Sequence, residues 1–175
     1  MKQKGLINID ISFPIIIHYF GEFGVIQLRH QLTKTNKNFI ENFNQKKSEF
    51  VIIDSIGCRY ILNKIEKLGY TNMFWGFSLA NAGVSSYFAD IYLEPLGELS
   101  TQELKELGFE ILKSKENYFE EVDLDSEIKN WKKEFEQLTD RENVLRYMFY
   151  FADISRYLSP SDNDANWRKR VDSMR

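Results

Sequence analysis

Cysteine, histidine and proline are scarce in this chain of 175 residues, which has one cysteine, two histidines and three prolines. The single cysteine, Cys58, cannot form a disulfide within the chain and cannot supply the several thiolates of a cysteine-based zinc cluster. This excludes a small fold stabilised by disulfides. It favours a reducing compartment, and we expect a cytoplasmic protein.

Long apolar runs are missing as well. The most apolar part of the N-terminal region, residues 6–17, is interrupted by Asn8, Asp10, Ser12 and Pro14. Such a stretch is too short and too polar to cross a bilayer, and it lacks the uninterrupted apolar centre of a signal peptide. We therefore expect no association with a membrane.

The chain also lacks the motifs that mark nucleotide and metal chemistry. Neither of the glycine-rich phosphate-binding patterns, G-x-x-x-x-G-K-[ST] and G-x-G-x-x-G, occurs in it. The two histidines, His18 and His30, do not have the spacing of metal ligands, and we interpret both as residues of strand regions. The sequence therefore predicts no cofactor and no bound metal.

Two nucleophile candidates have structural interpretations. Ser78 lies in a stretch, residues 76–80, that resembles part of a G-x-S-x-G elbow, but that chemistry needs a strand turning into a helix, and a hairpin is expected here. Cys58 would need a base or a positive field beside it, and Arg59 points to the opposite face of a strand. We interpret Cys58 as a buried or half-buried structural thiol. The sequence predicts no catalytic residues and no enzyme.

The composition is that of a globular domain, with 43% hydrophobic and 28% charged residues. A chain of about this size buries roughly two-thirds of its unfolded surface, so a core can form without a metal or a disulfide. We predict one domain over residues 1–158, followed by a polar tail or a short terminal helix over residues 159–175.

The first 95 residues carry the patterns of strands and hairpins. Apolar and polar residues alternate from Ile7 to Phe13, which predicts a half-buried strand. One short amphipathic helix is expected between residues 33 and 47, where Phe39, Ile40 and Phe43 recur at helical spacing. Further strand pairs are predicted at 15–19 with 25–28, at 50–54 with 59–65, and at 73–79 with 87–93.

After Pro95 the apolar residues recur with the period of helices. Ser100 and Glu103 form a capping box, so a helix is predicted to begin there. A second helix is predicted from about Asp125 and a third from Thr139, with Glu142 as the capping-box partner of Thr139. Strands followed by helices favour an α+β fold, in which a mostly antiparallel sheet from the N-terminal half packs against the C-terminal helices.

Charge is distributed unevenly along the chain. The net charge is −3, yet residues 98–142 hold 14 acidic side chains against 7 basic ones. Within this region one segment combines aromatic and acidic side chains, as a charge-steered protein interface does. We predict that it binds a partner through Tyr118, Phe119, Glu120, Glu121, Asp123 and Asp125. The alternative is that the two aromatic side chains pack in the core and the acidic ones only keep the loop solvated.

These observations favour a small acidic protein that binds or inhibits another protein. A net negative charge disfavours direct binding of nucleic acid and favours a basic protein partner. By analogy of class, without a sequence match, we interpret the chain as a bacterial immunity protein that neutralises a basic toxin domain, such as a nuclease, by direct binding. The alternatives are an enzyme with a dispersed active site, in which His18, His30 or Cys58 line a pocket, and a structural subunit of a larger assembly.

Overall fold

A computed structural model describes residues 5–19, 21–45, 50–70, 86–115 and 125–157. The fold is α+β, as predicted, with a curled antiparallel sheet in the N-terminal half and helices in the C-terminal half. The strands are β1 (Ile15–Tyr19), β2 (Glu22–Ile26), β3 (Lys34–Asn36), β4 (Val51–Asp54), β5 (Cys58–Tyr70) and β6 (Ser86–Glu98). The helices are α1 (Arg29–Leu32), α2 (Lys37–Gln45), α3 (Thr101–Ser114), α4 (Asp125–Gln137) and α5 (Arg141–Tyr157).

The residues group into two compact units. The sheet unit comprises the chain up to Gly21 and Val25–Leu99, and the helical unit comprises Glu22–Gly24 and the chain from Ser100 onward.

The six strands lie in the order β2-β1-β4-β5-β6-β3. The predicted pairings of β1 with β2 and of β4 with β5 are confirmed. The strand predicted at residues 87–93 is part of β6, which pairs with β5, and its predicted partner, residues 73–79, lies outside the described residues. Alternation predicts that a strand exists but does not specify its partner. The β5–β6 ladder is the longest, and it runs from Cys58 opposite Glu98 to Tyr70 opposite Tyr87.

An apolar core lies on one face of the sheet unit, with Ile15, Ile52, Leu62 and Ile91 among its buried residues. The predicted amphipathic helix is confirmed as α2, which buries Phe43 against this core. Around Phe50, three aromatic side chains are arranged with ring centroids 5.3–6.0 Å away: Tyr19, Phe39 and Phe43. Edge-to-face and stacked aromatic pairs of this kind stabilise beyond the apolar area that they bury.

The N-terminal segment, residues 5–13, is not the strand that the alternation predicts. Ile7 and Ile11 are buried as expected, but only Ile7 forms a β-bridge, which is parallel and joins Ile91. The side chain of Asn8 takes the place of a backbone partner, since its Oδ1 accepts from the Leu93 amide (2.7 Å) and its Nδ2 donates to the Leu93 carbonyl (3.0 Å). The main chain can therefore leave the sheet after one bridge without leaving Leu93 unsatisfied.

The helical unit begins with the predicted capping box. Ser100 Oγ accepts from the Glu103 amide (3.3 Å), and Glu103 Oε2 accepts from the Ser100 amide (2.8 Å). The core of this unit is built from one buried stripe on each helix: Leu104, Ile111 and Leu112 on α3, Trp131 and Phe135 on α4, and Val144, Leu145, Met148 and Phe151 on α5.

Two details of local structure differ from the predictions. Helix α5 begins at Arg141, and Asp140 caps it, because Asp140 Oδ2 accepts from the Asn143 amide (2.9 Å). The predicted cap, Thr139, is one residue too early; aspartate is also a preferred cap, and its charge suits a helix N-terminus. His30 lies in the single turn of α1 and not in a strand, whereas His18 lies in β1 as expected.

Candidate functional site

The predicted partner-binding segment falls almost entirely outside the described residues. Tyr118, Phe119, Glu120, Glu121 and Asp123 belong to the undescribed stretch between α3 and α4, and Asp125 is the first residue of α4. The described part of the acidic region therefore consists of α3, α4 and the beginning of α5.

Three glutamates form an acidic ridge on α3. Glu103, Glu106 and Glu110 are all exposed, and their spacing of three and four residues places them on one face of the helix. The buried residues of α3 lie on the other side, where Leu104 and Ile111 enter the core. Helical periodicity alone therefore separates the acidic ridge from the core.

Neutral donors bond to two of the carboxylates of the acidic ridge. Glu103 Oε2 accepts from the Ser100 amide and hydroxyl at the N-terminus of the helix. Glu106 Oε1 accepts from Gln102 Nε2 (2.9 Å). These three donors are neutral groups, and their bonds hold the two carboxylates in position. Like charges three and four residues apart on a helix repel each other mildly, and an oppositely charged partner would relieve that repulsion.

Helix α4 carries charges of both signs. Its exposed or half-buried face carries Lys129, Lys132 and Lys133 together with Glu134 and Glu136. Tyr147 on α5 donates from its hydroxyl to Glu134 Oε2 (3.2 Å). On α3 the three glutamates are neighbours on one face, and Lys113 is exposed three residues after Glu110 on the same face.

A second group of polar side chains, here called the turn cluster, comprises Asp54, Cys58 and Tyr60 at the turn between β4 and β5. Asp54 is 1% exposed. Its Oδ1 accepts from the amides of Ile56 (3.1 Å) and Cys58 (2.9 Å), and its Oδ2 accepts from the Tyr60 hydroxyl (3.0 Å). Burial, followed by this hydrogen bond to Asp54, raises the pKa of Tyr60 well above its usual range. The bonds of Asp54 satisfy the amides of the turn, which is a structural role.

The turn after Asp54 is predicted from the sequence by the strand pair at 50–54 and 59–65, but the bonds that Asp54 makes to Cys58 and Tyr60 are not. An aspartate that ends an apolar run and is followed by Ser55, Ile56 and Gly57 is typical of a turn in which the carboxylate bonds to the backbone two residues onward. Gly57 has the positive φ of 83° that such a turn requires. The long-range partner, Tyr60, could not be inferred from spacing alone.

Cys58 is half-buried, as predicted. The sheet register does not bring His18 beside it. Ile15 lies opposite Asp54 and His18 lies opposite Val51, so His18 is displaced by three residues, about 10 Å along the strand, from the end of the sheet where Cys58 lies. His30 belongs to α1.

Lys115 is a partly buried charged group of the helical unit. Its Nζ donates to the Phe23 carbonyl (3.0 Å) just after the end of α3. Burial lowers the pKa of Lys115, and the negative charges of Glu22 and Asp153 oppose that effect. A cation suits the C-terminal end of a helix, and the bond to the Phe23 carbonyl holds the Lys115 side chain in place. We interpret it as a structural contact.

The described residues contain no group of three or more histidine, cysteine, aspartate or glutamate side chains placed to hold a metal ion. None of their helices is both long enough and apolar enough to cross a membrane.

Comparison of the chain with models of protein families, with curated proteins and with solved structures gave no match.

Proposed function

We propose that the protein binds a basic protein partner through the acidic side of its helical unit and inhibits that partner. The observation that supports this proposal is the acidic ridge, in which Glu103, Glu106 and Glu110 project from one exposed face of α3. The helix is anchored by Leu104 and Ile111 and holds the backbone of these three residues at fixed spacing, so little backbone order has to be gained on binding.

The sign of the charge supports a basic protein over a nucleic acid. Clustered carboxylates repel phosphates, whereas they attract lysine and arginine side chains and accelerate their encounter. Residues 117–125 follow α3 directly in the sequence and add four more carboxylates with Tyr118 and Phe119. In this proposal the carboxylates steer the partner, and the two aromatic residues supply the apolar contacts that hold it.

The partner class that best fits is a basic nuclease domain of a bacterial toxin. An enzyme that binds a phosphate backbone carries a positive surface, and an acidic inhibitor can occupy that surface in place of the substrate. The protein would then be an immunity protein by function. This assignment rests on charge complementarity and on analogy of class.

Capture with matched variants tests the binding part of the proposal. The immobilised protein, a ridge variant with Glu106→Gln and Glu110→Gln, and a control with Glu41→Gln and Glu94→Gln are exposed to an extract of the native host. The control loses the same charge from exposed positions of the sheet unit. Glu103 is left intact because it caps α3. We expect a basic protein that the parent and the control retain at low salt and the ridge variant retains less.

A second assay tests inhibition. The captured partner is assayed for nuclease activity with increasing amounts of the parent protein, and activity should fall in proportion to complex formed. Equal capture by the ridge variant and the control would contradict a role of the acidic ridge. A partner that binds but keeps its full activity would contradict inhibition while leaving the binding surface in place.

A further inference from the structure

We draw no further inference here: the strongest candidate, the half-buried Cys58 thiol at the turn between β4 and β5, is a lone cysteine whose neighbours Asp54 and Tyr60 are bonded to each other and to the turn, and no feature of the residues that the structure describes points to a ligand for it.

Discussion

At the scale of single residues, side chains of the sheet unit substitute for backbone hydrogen-bonding partners. Asn8 satisfies both the amide and the carbonyl of Leu93, and Asp54 satisfies the amides of Ile56 and Cys58. A backbone group that loses such a partner must bond to water or remain unsatisfied at a cost in free energy. The Asn8 bonds allow the main chain to leave the sheet beside Leu93, and the Asp54 bonds allow it to turn between β4 and β5.

The variant Asn8→Ala tests the first of these roles. It removes both bonds to Leu93, and because these groups are only partly buried, water compensates in part. We expect the free energy of unfolding to fall by about 1–2 kcal/mol, measured by urea denaturation. Asn38→Ala, at an exposed position of α2, is the control and should stay within about 0.5 kcal/mol of the parent. Equal effects of the two changes would show that the Asn8 bonds contribute nothing.

The variant Tyr60→Phe tests the turn cluster through pH. The pKa of Tyr60 is raised in the folded protein by burial and by its bond to Asp54, whereas an unfolded chain releases this proton near pH 10. The contribution of the Tyr60 hydroxyl to the free energy of unfolding is therefore fully present below about pH 10 and is lost as the pH rises above it. We expect the unfolding free energy of the parent to fall more steeply above pH 10 than that of Tyr60→Phe. Parallel curves for the two proteins would contradict the raised pKa.

At neutral pH the same variant should be less stable than the parent. Phenylalanine keeps the ring but removes the hydroxyl that donates to the buried Asp54 carboxylate. A hydrogen bond to a charged group contributes about 1.5–3 kcal/mol, and denaturation at pH 7 measures the loss.

At the scale of elements, local signals predict the beginning of a helix well, and the structure shows which residue makes the cap. Ser100 was identified from its capping box, whereas Asp140 caps α5 where Thr139 was expected. We expect Ser100→Ala and Asp140→Ala each to lower the unfolding free energy by about 1 kcal/mol. Thr139→Ala should change it by less than about 0.5 kcal/mol. Thermal or urea denaturation of the three variants checks this order, and a larger effect for Thr139 than for Asp140 would contradict the observed cap.

Helix packing gives another prediction, at Gly108 in the interior of α3. A Cβ at this position would collide with the ring of Phe135 and lie 3.2 Å from Met148 Cγ. Alanine is more favourable than glycine inside a helix by about 1 kcal/mol, but overpacking a core costs about 1–3 kcal/mol. We expect Gly108→Ala to be destabilising by about 1 kcal/mol in denaturation experiments. In a Phe135→Leu background the same change should be neutral or stabilising, and no difference between the backgrounds would exclude the ring as the cause.

At this scale, short-range sequence patterns predict which residues are buried but not which groups their backbone bonds to. The alternation from Ile7 to Phe13 predicts that one side of this segment is buried, and Ile7 and Ile11 are indeed buried. It does not indicate which groups form hydrogen bonds with the backbone. The Asn8 side chain, and not a continued β-ladder, bonds to the amide and carbonyl of Leu93. The pairing of β6 with β5 joins residues far apart in sequence, and short-range patterns carry no information about it.

At the scale of the whole molecule, negative charge is concentrated in the helical half, and the sequence alone could locate it. Residues 98–142 contain twice as many acidic as basic side chains. The structure places Glu103, Glu106 and Glu110 on the side of α3 that faces away from Leu104, Ile111 and Leu112, and the sequence alone did not single out these three glutamates.

Association kinetics provide the test at this scale, with the basic partner obtained by capture. Exposed charges at the edge of an interface act mainly on the rate of encounter, and salt screens them beyond about 10 Å at 0.1 M ionic strength. We expect the ridge variant, Glu106→Gln with Glu110→Gln, to associate about tenfold more slowly at low salt and to depend less on salt, with a similar dissociation rate. The control Glu41→Gln with Glu94→Gln should associate at the parent's rate.

The segment after α3 is tested in the same assay, with two kinds of change that should act on different rates. Replacing Glu120, Glu121 and Asp123 by their amides should slow association further and flatten its salt dependence. Replacing Tyr118 or Phe119 by alanine should raise the dissociation rate, with a loss of about 2 kcal/mol of binding if either side chain is an anchor. A thermal melt of each alanine variant separates an anchor from a core residue, because truncating a core aromatic costs about 3–5 kcal/mol of stability. If the triple amide variant and the ridge variant both associate at the parent's rate at low salt, the acidic side of the helical unit is not the binding surface.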